Sequence, residues 1–319
     1  EKLGISFDYF KEKRRDILSQ PTYMPGILGM TLPIMNVGKT ENHGYEIQLK
    51  WNDKIGDEFR YWANFNLSFA RNKIVYMNEV KQNEEWMYET GRTIGSRSIY
   101  KFWGFYDETA DARYRSEFGI PIADHGLTLK PGDAVFVDLN KDGVIDGDDA
   151  SRDLSFTDTP EYTAGLNIGF SWKGWDVTAQ FTGAWNVDRL LSEFRQPLGD
   201  TQNKGLLLYQ YENTWRSSED TYTAKFPRIS ATAQANNYRQ CDLYLCNASY
   251  LRLKSLEVGY NFDMPFMKKI GMNQFRLYAS AYNLFTISSF MWGDPESRQS
   301  DRPNYPLTRV INIGLKVGF

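Results

Sequence analysis

The residues of this 319-residue chain whose types and spacing could do chemistry lie between Asp138 and Asp149. Asp138, Asn140 and Asp142 set side-chain oxygens at the first, third and fifth places of a twelve-residue loop, Gly143 follows at the sixth, Val144 offers a carbonyl at the seventh, and Asp149 a carboxylate at the twelfth. Ca2+ takes roughly six to eight oxygen ligands, and a loop of this spacing wraps such an ion, with the glycine making the sharp turn. Asp149 stands where a longer bidentate Glu is usual, so it must approach more closely or bind through one oxygen. The surrounding segment 77–160 holds 17 Asp and Glu against 9 Lys and Arg, and a divalent cation would relieve part of that repulsion. A structural Ca2+ is therefore expected, with no organic cofactor; a solvated acidic turn without an ion is the alternative. No helical period flanks the motif, which points to a loop site.

The other reactive residue types lead to no catalytic site. Glu84 and Glu85 with Asp107 and Glu108 have the look of a glycosidase carboxylate pair, but acidic surface loops are common. His43 and His125 are far apart and have no nucleophile or metal partner, so no triad is expected. The chain is read as a non-enzyme. Cys241 and Cys246 could form a disulfide in an oxidising compartment, closing a short loop with a modest entropic gain, and with no His nearby they do not suggest zinc. Trp86, Tyr88, Trp103, Tyr106, Trp215 and Trp292 crowd the segments between strands, where rings suit contact with a substrate or another protein, or the packing of loops on one another.

Short amphipathic strands must position these residues. Ile311, Ile313, Leu315, Val317 and Phe319 alternate with Asn312, Gly314, Lys316 and Gly318, and the same period of two recurs at 3–9, 45–51, 61–69, 162–172, 175–186, 250–262 and 275–285. The phase slips by one at Ser255, the sequence mark of a β-bulge. About eight strands result, each of the roughly 9 to 11 residues that a tilted membrane crossing needs. Short turns near 53–57, 173–174 and 263–272 alternate with long excursions at about 20–42, 77–160, 188–247 and 287–306. That asymmetry is the pattern of an outer-membrane barrel with its long loops outside, which leaves the C-terminus periplasmic.

Composition agrees with this reading. A net charge of −3 argues against a nucleic-acid partner. No apolar run of 18 residues exists, so no transmembrane helix is expected, while aromatics at 15% beside a mean hydropathy of −0.54 suit a barrel with aromatic girdles. The lumenal face would carry Gln48, Lys50, Asn64, Asn66, Asn167, Gln180, Arg252, Lys254 and Arg276. The opening EKLGISFDYF has no signal-peptide pattern, so the expectation is a mature or truncated chain and a fragment of a larger barrel. A passive porin-like barrel and a soluble β-rich carbohydrate-binding protein are the rivals.

Several segments then resemble one family in order along the chain. YLRLKSLEVGYNF (250–262), FRLYASAYNLFTISSF (275–290), GDPES (293–297) and YPLTRVINIGLKVGF (305–319) are similar to the C-terminal end of SusC/RagA-type TonB-linked outer-membrane proteins. GKTENHGYEIQL (38–49), with His43 where the family often has Lys or Asn, PGDAVFVDLNKDGVIDGDD (131–149) and TPEYTAGLNIGFSWKGWDVTAQFTGAW (159–185) resemble upstream segments of the same family. The resemblance implies an all-β antiparallel transmembrane barrel of 22 strands, of which residues 1–319 would be the C-terminal portion, with the plug domain absent from this chain. It further implies the outer membrane of a Gram-negative bacterium, and a TonB complex acting through the missing N-terminal part. The implied cargo is an oligosaccharide or oligopeptide, taken up with a SusD-like surface lipoprotein as lid.

Overall fold

The computed structural model describes residues 2–19, 33–191, 205–230, 235–263, 265, 271–297 and 307–319. Its frame is an eight-stranded sheet of β1 (Leu3–Ser19), β2 (Met35–Ile55), β3 (Phe59–Tyr76), β4 (Tyr162–Trp172), β5 (Trp175–Trp185), β6 (Tyr250–Asn261), β7 (Gln274–Ser288) and β8 (Val310–Gly318). Neighbours in sequence are neighbours in the sheet, and every pairing is antiparallel. All eight expected strands are present. Among the described residues β1 and β8 each have a single strand neighbour, so the sheet is open at both edges.

The register carries the alternation across the whole sheet. Leu3, Trp51, Ala63, Ile168, Ala179, Leu256, Ala281 and Ile311 are successive partners in one apolar row. One residue along each strand, Lys50, Asn64, Asn167, Gln180 and Ser255 form a polar row on the opposite face. The apolar face is bare: Ile5 is 67%, Ile311 68% and Ile313 81% exposed on the edge strands, and Leu49 and Ile168 further in are each 37% exposed. A soluble sandwich would cover such a face with a second sheet. Here the described residues leave it open, as a wall facing lipid requires.

Rings border that face at both ends. Tyr9, Tyr45, Phe69, Tyr162 and Trp185 are register partners at the long-loop end, with Tyr45 and Phe69 centroids 5.3 Å apart and Phe69 and Tyr162 4.6 Å. Phe59, Trp172, Trp175 and Tyr260 partner one another at the short-turn end, with Trp175 and Tyr260 5.0 Å apart. Tyr162 and Trp172 open and close one strand. At about 3.3 Å per residue and a tilt of roughly 35–45°, that separation gives a band about 25 Å tall, the height of a barrel's apolar belt.

Local chemistry fixes the turns and irregularities. Lys173 and Gly174 both have positive φ, 47° and 88°, which makes a two-residue turn of the twist that hairpins favour. The register of β6 shifts between Leu253 and Ser255 against both neighbours, the bulge expected from the phase slip. On the lumenal face, a Cβ at Gly259 would lie 2.4 Å from the Arg276 guanidinium. The glycine lets Arg276 cross β6, where it bonds Glu257 at 2.6 Å and also reaches Asp176. One expectation is corrected: the excursion set at 20–42 is shorter, because β2 starts at Met35 and β1 runs to Ser19. Beyond the girdle a strand needs only its backbone ladder and not an apolar face, so the hydrophobic period fades while the pairing continues.

The dry core lies elsewhere, in the connections 77–161, 186–249 and 289–309. Apart from Ile74, Ala184, Tyr250 and Leu253, the buried apolar residues belong to these connections. They include the nine-residue helix α1 (Ala110–Phe118), which no sequence pattern announced.

Placing a cation on the two faces of one strand tests the assignment of lipid and lumen. Ile168→Lys should cost about 2–4 kcal/mol and Asn167→Lys close to nothing. Denaturant titration in lipid vesicles, followed by heat-modifiable gel migration, measures both, and equal costs would show that neither face meets lipid.

Candidate functional site in the packed loops

The acidic motif folds as a tight loop between the short strand Ala134–Phe136 and the 3-10 turn Gly147–Asp149. Buried Asp138 accepts backbone N–H groups from Lys141 (2.6 Å), Asp142 (3.2 Å) and Gly143 (2.9 Å). Gly143 has φ +89° and Lys141 φ 64°, so the chain reverses where the glycine was expected to turn it. Fully buried Asp149 accepts from Leu139 (2.7 Å) and Asp146 (3.0 Å), and exposed Asp142 from Val144 (2.9 Å). The Asp124 N–H donates to the Gly143 carbonyl and the Ile145 N–H to the Asp124 carbonyl, both at 2.8 Å, which anchors the loop on a neighbouring segment.

The donor set suits a hard cation. Asp138, Asp142, Asp146, Asp148 and Asp149 sit within twelve residues, and among the described residues no salt bridge reaches any of them. Burial, and then the charges of Asp138 and Asp142, push the Asp149 carboxyl above its ordinary range. Among the described residues no three His, Cys, Asp or Glu side chains form a ready cluster. An ion here would therefore draw on Asn140 and the Val144 carbonyl as well as Asp138, Asp142 and Asp149.

The six aromatic candidates are placed apart, each held by different neighbours. The Trp86 indole donates to the Asp148 carbonyl at 2.7 Å, clasping the acidic loop, and the Tyr88 hydroxyl accepts from the Gln82 N–H at 2.9 Å. Trp103 donates to Glu117 at 2.7 Å and carries Arg113 over its ring. The Tyr106 N–H donates to the Asp133 carbonyl. Trp215 is buried against Gly132, whose φ of +85° and lack of Cβ admit the ring, and Trp292 packs edge-on to Tyr209 at 4.9 Å. Loop-on-loop packing thus accounts for much of their surface, and buried Trp215 is no surface contact. Among the described loop rings, Tyr222 is 80% exposed, and Tyr211 and Phe156 are exposed too, with Leu207 and Leu208 near Tyr211 in the chain.

The structure draws no bond between Cys241 and Cys246. Cys241 is buried in the cluster with Phe136, Ile145 and Tyr244, while Cys246 lies in the short strand Leu245–Asn247 opposite Arg189. His125 is buried, with Nδ1 2.8 Å from the Ala123 carbonyl and Nε2 accepting the Phe136 N–H at 3.1 Å, which fixes a neutral tautomer. Glu84 is apart from Asp107, which pairs with Arg113 at 3.0 Å and accepts from Thr221.

The residues that hold the loops together were not singled out from sequence. Fully buried Asp133 accepts from Arg228 (2.6 Å), Asn237 (2.9 Å) and the Lys130 N–H (2.8 Å). Asn236 and Asn237 bond the carbonyl and N–H of Ala134, both at 2.8 Å, standing in for a neighbouring strand. Arg189 donates to the carbonyls of Ser297 and Asp158, each at 2.6 Å, tying all three connections. Arg252, expected in the lumen lining, is buried there and grips Asp294 (2.7 Å) and Glu296 (2.8 Å). These pairs join residues up to 108 positions apart, and no local spacing marks them.

No protein-family model matches the chain. All of it aligns with TonB-dependent receptor P3 of Formosa agariphila, at 26% identity over 343 residues and 32% of that protein. TonB-dependent receptor SusC of Bacteroides thetaiotaomicron is 22% identical over 332 residues, covering 98% of the chain and 29% of SusC. The chain spans about a third of the length of the curated relatives it matches. Among solved structures, the RagAB peptide transporter matches at 20% identity and TM-score 0.69, and the RagAB peptide importer in its closed-closed state at 21% and 0.71. Each match covers the whole chain and 34% of the solved one. At that identity the likeness is one of fold: an antiparallel wall of a RagA-like barrel.

The packed loops should respond to acid through His125. Burial first, and then Arg239, hold its imidazole below the ordinary 6.5, against the opposing pull of Asp124 and Asp133. The folded loop then binds fewer protons than the unfolded one, so its stability is present above the unfolded value and falls as pH drops through about 6.5. Asp149 and Asp188, pushed up by burial, act with the opposite sign. His125→Gln separates the contributions: proteolysis within 120–150 should rise from about pH 7.5 to about pH 5.5 in the native chain and rise less in the variant. Equal acid sensitivity would remove His125 from the account.

Proposed function

We propose that this chain, a SusC/RagA-type fragment in sequence and fold, forms part of the wall and outer loops of a TonB-dependent outer-membrane importer. The observation that carries this reading is the bare apolar face bordered by two rows of rings, with long packed loops at one end only. Hydrocarbon offers no hydrogen-bond partner, so a sheet with two open edges can lie in lipid only when further strands close it. The plug and the segment that meets the energy transducer would belong to the rest of such a barrel. With the loops outside, the short turns and Phe319 face the periplasm.

The cargo on this reading is an oligosaccharide or oligopeptide too large for passive pores. The solved relatives are described as a peptide transporter and importer, which favours peptide. The loop surface supports a SusD-like lipoprotein lid: Leu207, Leu208, Tyr211 and Tyr222 stand exposed where a partner could cover them. The packed loops serve transport by holding their shape under a lid, not by bond chemistry. Uptake should require the proton-motive force and the energy transducer. Uptake that survives loss of the transducer would make the barrel a passive pore.

A Ca2+ ion held by Asp138, Asn140, Asp142, the Val144 carbonyl and Asp149 fits the same reading, as a pin on the loop that faces the lid. It would offset the charges that the protein leaves unpaired. Asp142 tests this best, since it is exposed and its removal leaves the backbone bonds to Asp138 in place. Chelator should speed proteolysis within 131–150 in the native chain, and Asp142→Ala should abolish the difference between calcium and chelator. Identical cleavage with and without the ion in the native chain would refute the site.

A further inference from the structure

Past the ring row at the long-loop end, β1, β2 and β3 continue outward, and their lipid-facing side changes from aromatic to cationic. One step beyond Tyr9 and Tyr45, Lys11, His43 and Arg71 are register partners, and one step further Lys13, Glu41 and Lys73 are. Arg71 lies over the Phe69 ring at 5.7 Å and Tyr45 packs on Phe69, so the cations continue the girdle's own face. Glu41 is shared by Lys11 (3.5 Å) and Lys13 (3.3 Å), and Glu161 is taken by Arg71 at 2.6 Å. Four permanent cations therefore meet two carboxylates. Lys73 and His43 are exposed, and among the described residues no salt bridge reaches Lys73.

Two comparisons within the molecule make the cluster specific. β4 to β8 have no such extension: β4 begins and β5 ends at the girdle itself, with Tyr162 and Trp185. Among the described residues at the opposite girdle, Lys2 pairs with Asp53, Lys54 with Asp57 and Lys173 with Glu58. Among the described residues this cation excess lies on three adjacent strands beyond one girdle.

We infer that the outward face of β1 to β3 above the ring row, centred on Lys13, Lys73, Arg71 and His43, binds the phosphorylated headgroup of a lipid in the outer leaflet. The chemistry is that of an anionic phosphate beside acyl chains: the rings and the apolar row below take the chains, and the cations take the charge. A lipid is favoured over a protein partner because the patch continues the lipid-facing rows without a break, whereas the exposed apolar loop residues lie on a separate connection. The inference rests on the membrane reading above.

The test uses the full-length protein in detergent, with a bisphosphorylated glucosamine-based lipid and the same lipid stripped of phosphate as probes. Native mass spectrometry reads retention. The phosphorylated lipid should be retained, and Lys13→Glu with Lys73→Glu should lower its retention by about tenfold or more. The stripped lipid should be unaffected, as should a Lys54→Glu, Lys173→Glu control at the opposite girdle. Equal loss in the control, unchanged retention in the test variant, or release of a bound lipoprotein with lipid still held would overturn the site, the last assigning it to a protein partner. Heat-modifiable migration run alongside separates the two claims. A protein that is not heat-modifiable overturns the membrane reading and the site together, and a heat-modifiable one that retains lipid without regard to phosphate overturns the site alone.

Discussion

Everything in this chain depends on satisfying the backbone of a wall that faces hydrocarbon. An unpaired N–H or carbonyl there costs several kcal/mol, about the net stability of a small domain, and no side chain can make good many such losses. The continuous ladder from β1 to β8 answers that constraint. With the ladder in place, side chains are free to follow the solvent on each side, and one strand can carry Ile168 into lipid and Asn167 into the lumen. The irregularities respect the same rule. The bulge near Ser255 interrupts the register without ending either ladder, and Gly259 gives up its side chain so that Arg276 can cross the strand.

Because the sheet's apolar side chains are committed to lipid, they cannot also anchor the loops, which must build a core of their own. They do so with Phe136, Ile145, Leu190 and Tyr244, drawn from two connections, and with Trp292 from the third. Aromatic packing supplies the area, but position is set by polar groups with little latitude. Arg189 reaches carbonyls on three segments, and Asn236 and Asn237 complete the hydrogen bonds of Ala134. A guanidinium with several fixed donors suits this work better than an ammonium, since it can satisfy separate acceptors without rotating.

The wall was legible in the sequence because its signal is local. A period of two, an aromatic at each end and the slip near Ser255 are all read within a dozen residues, and the strands fall where that pattern sets them. Legibility failed where the physics changed. Past the girdle, β1 and β2 stay paired through Glu12, Glu41 and Asn42, where no apolar period remains to be seen. The loops failed for a second reason: Asp133 with Arg228, or Arg252 with Asp294, are meetings of distant segments. The acidic motif was legible because twelve consecutive residues make its turn. The fate of Trp86 was not, since only the fold brings its indole to the Asp148 carbonyl.

The same division bears on where recognition could reside. Rings rich in a loop segment suggest a binding surface when read in one dimension, yet Trp215 is enclosed and Trp86 and Trp103 are held by acceptors of their own chain. An indole already bonded and packed offers a ligand little new surface. It rigidifies the frame instead, and pre-organisation lowers the entropy lost when something binds to that frame. Among the described loop residues, those that the loop core does not use, Leu207, Leu208, Tyr211 and Tyr222 among them, stay at the surface. The abundant aromatics of this chain thus divide between bordering lipid and bracing loops, and few of the described loop rings stay largely exposed.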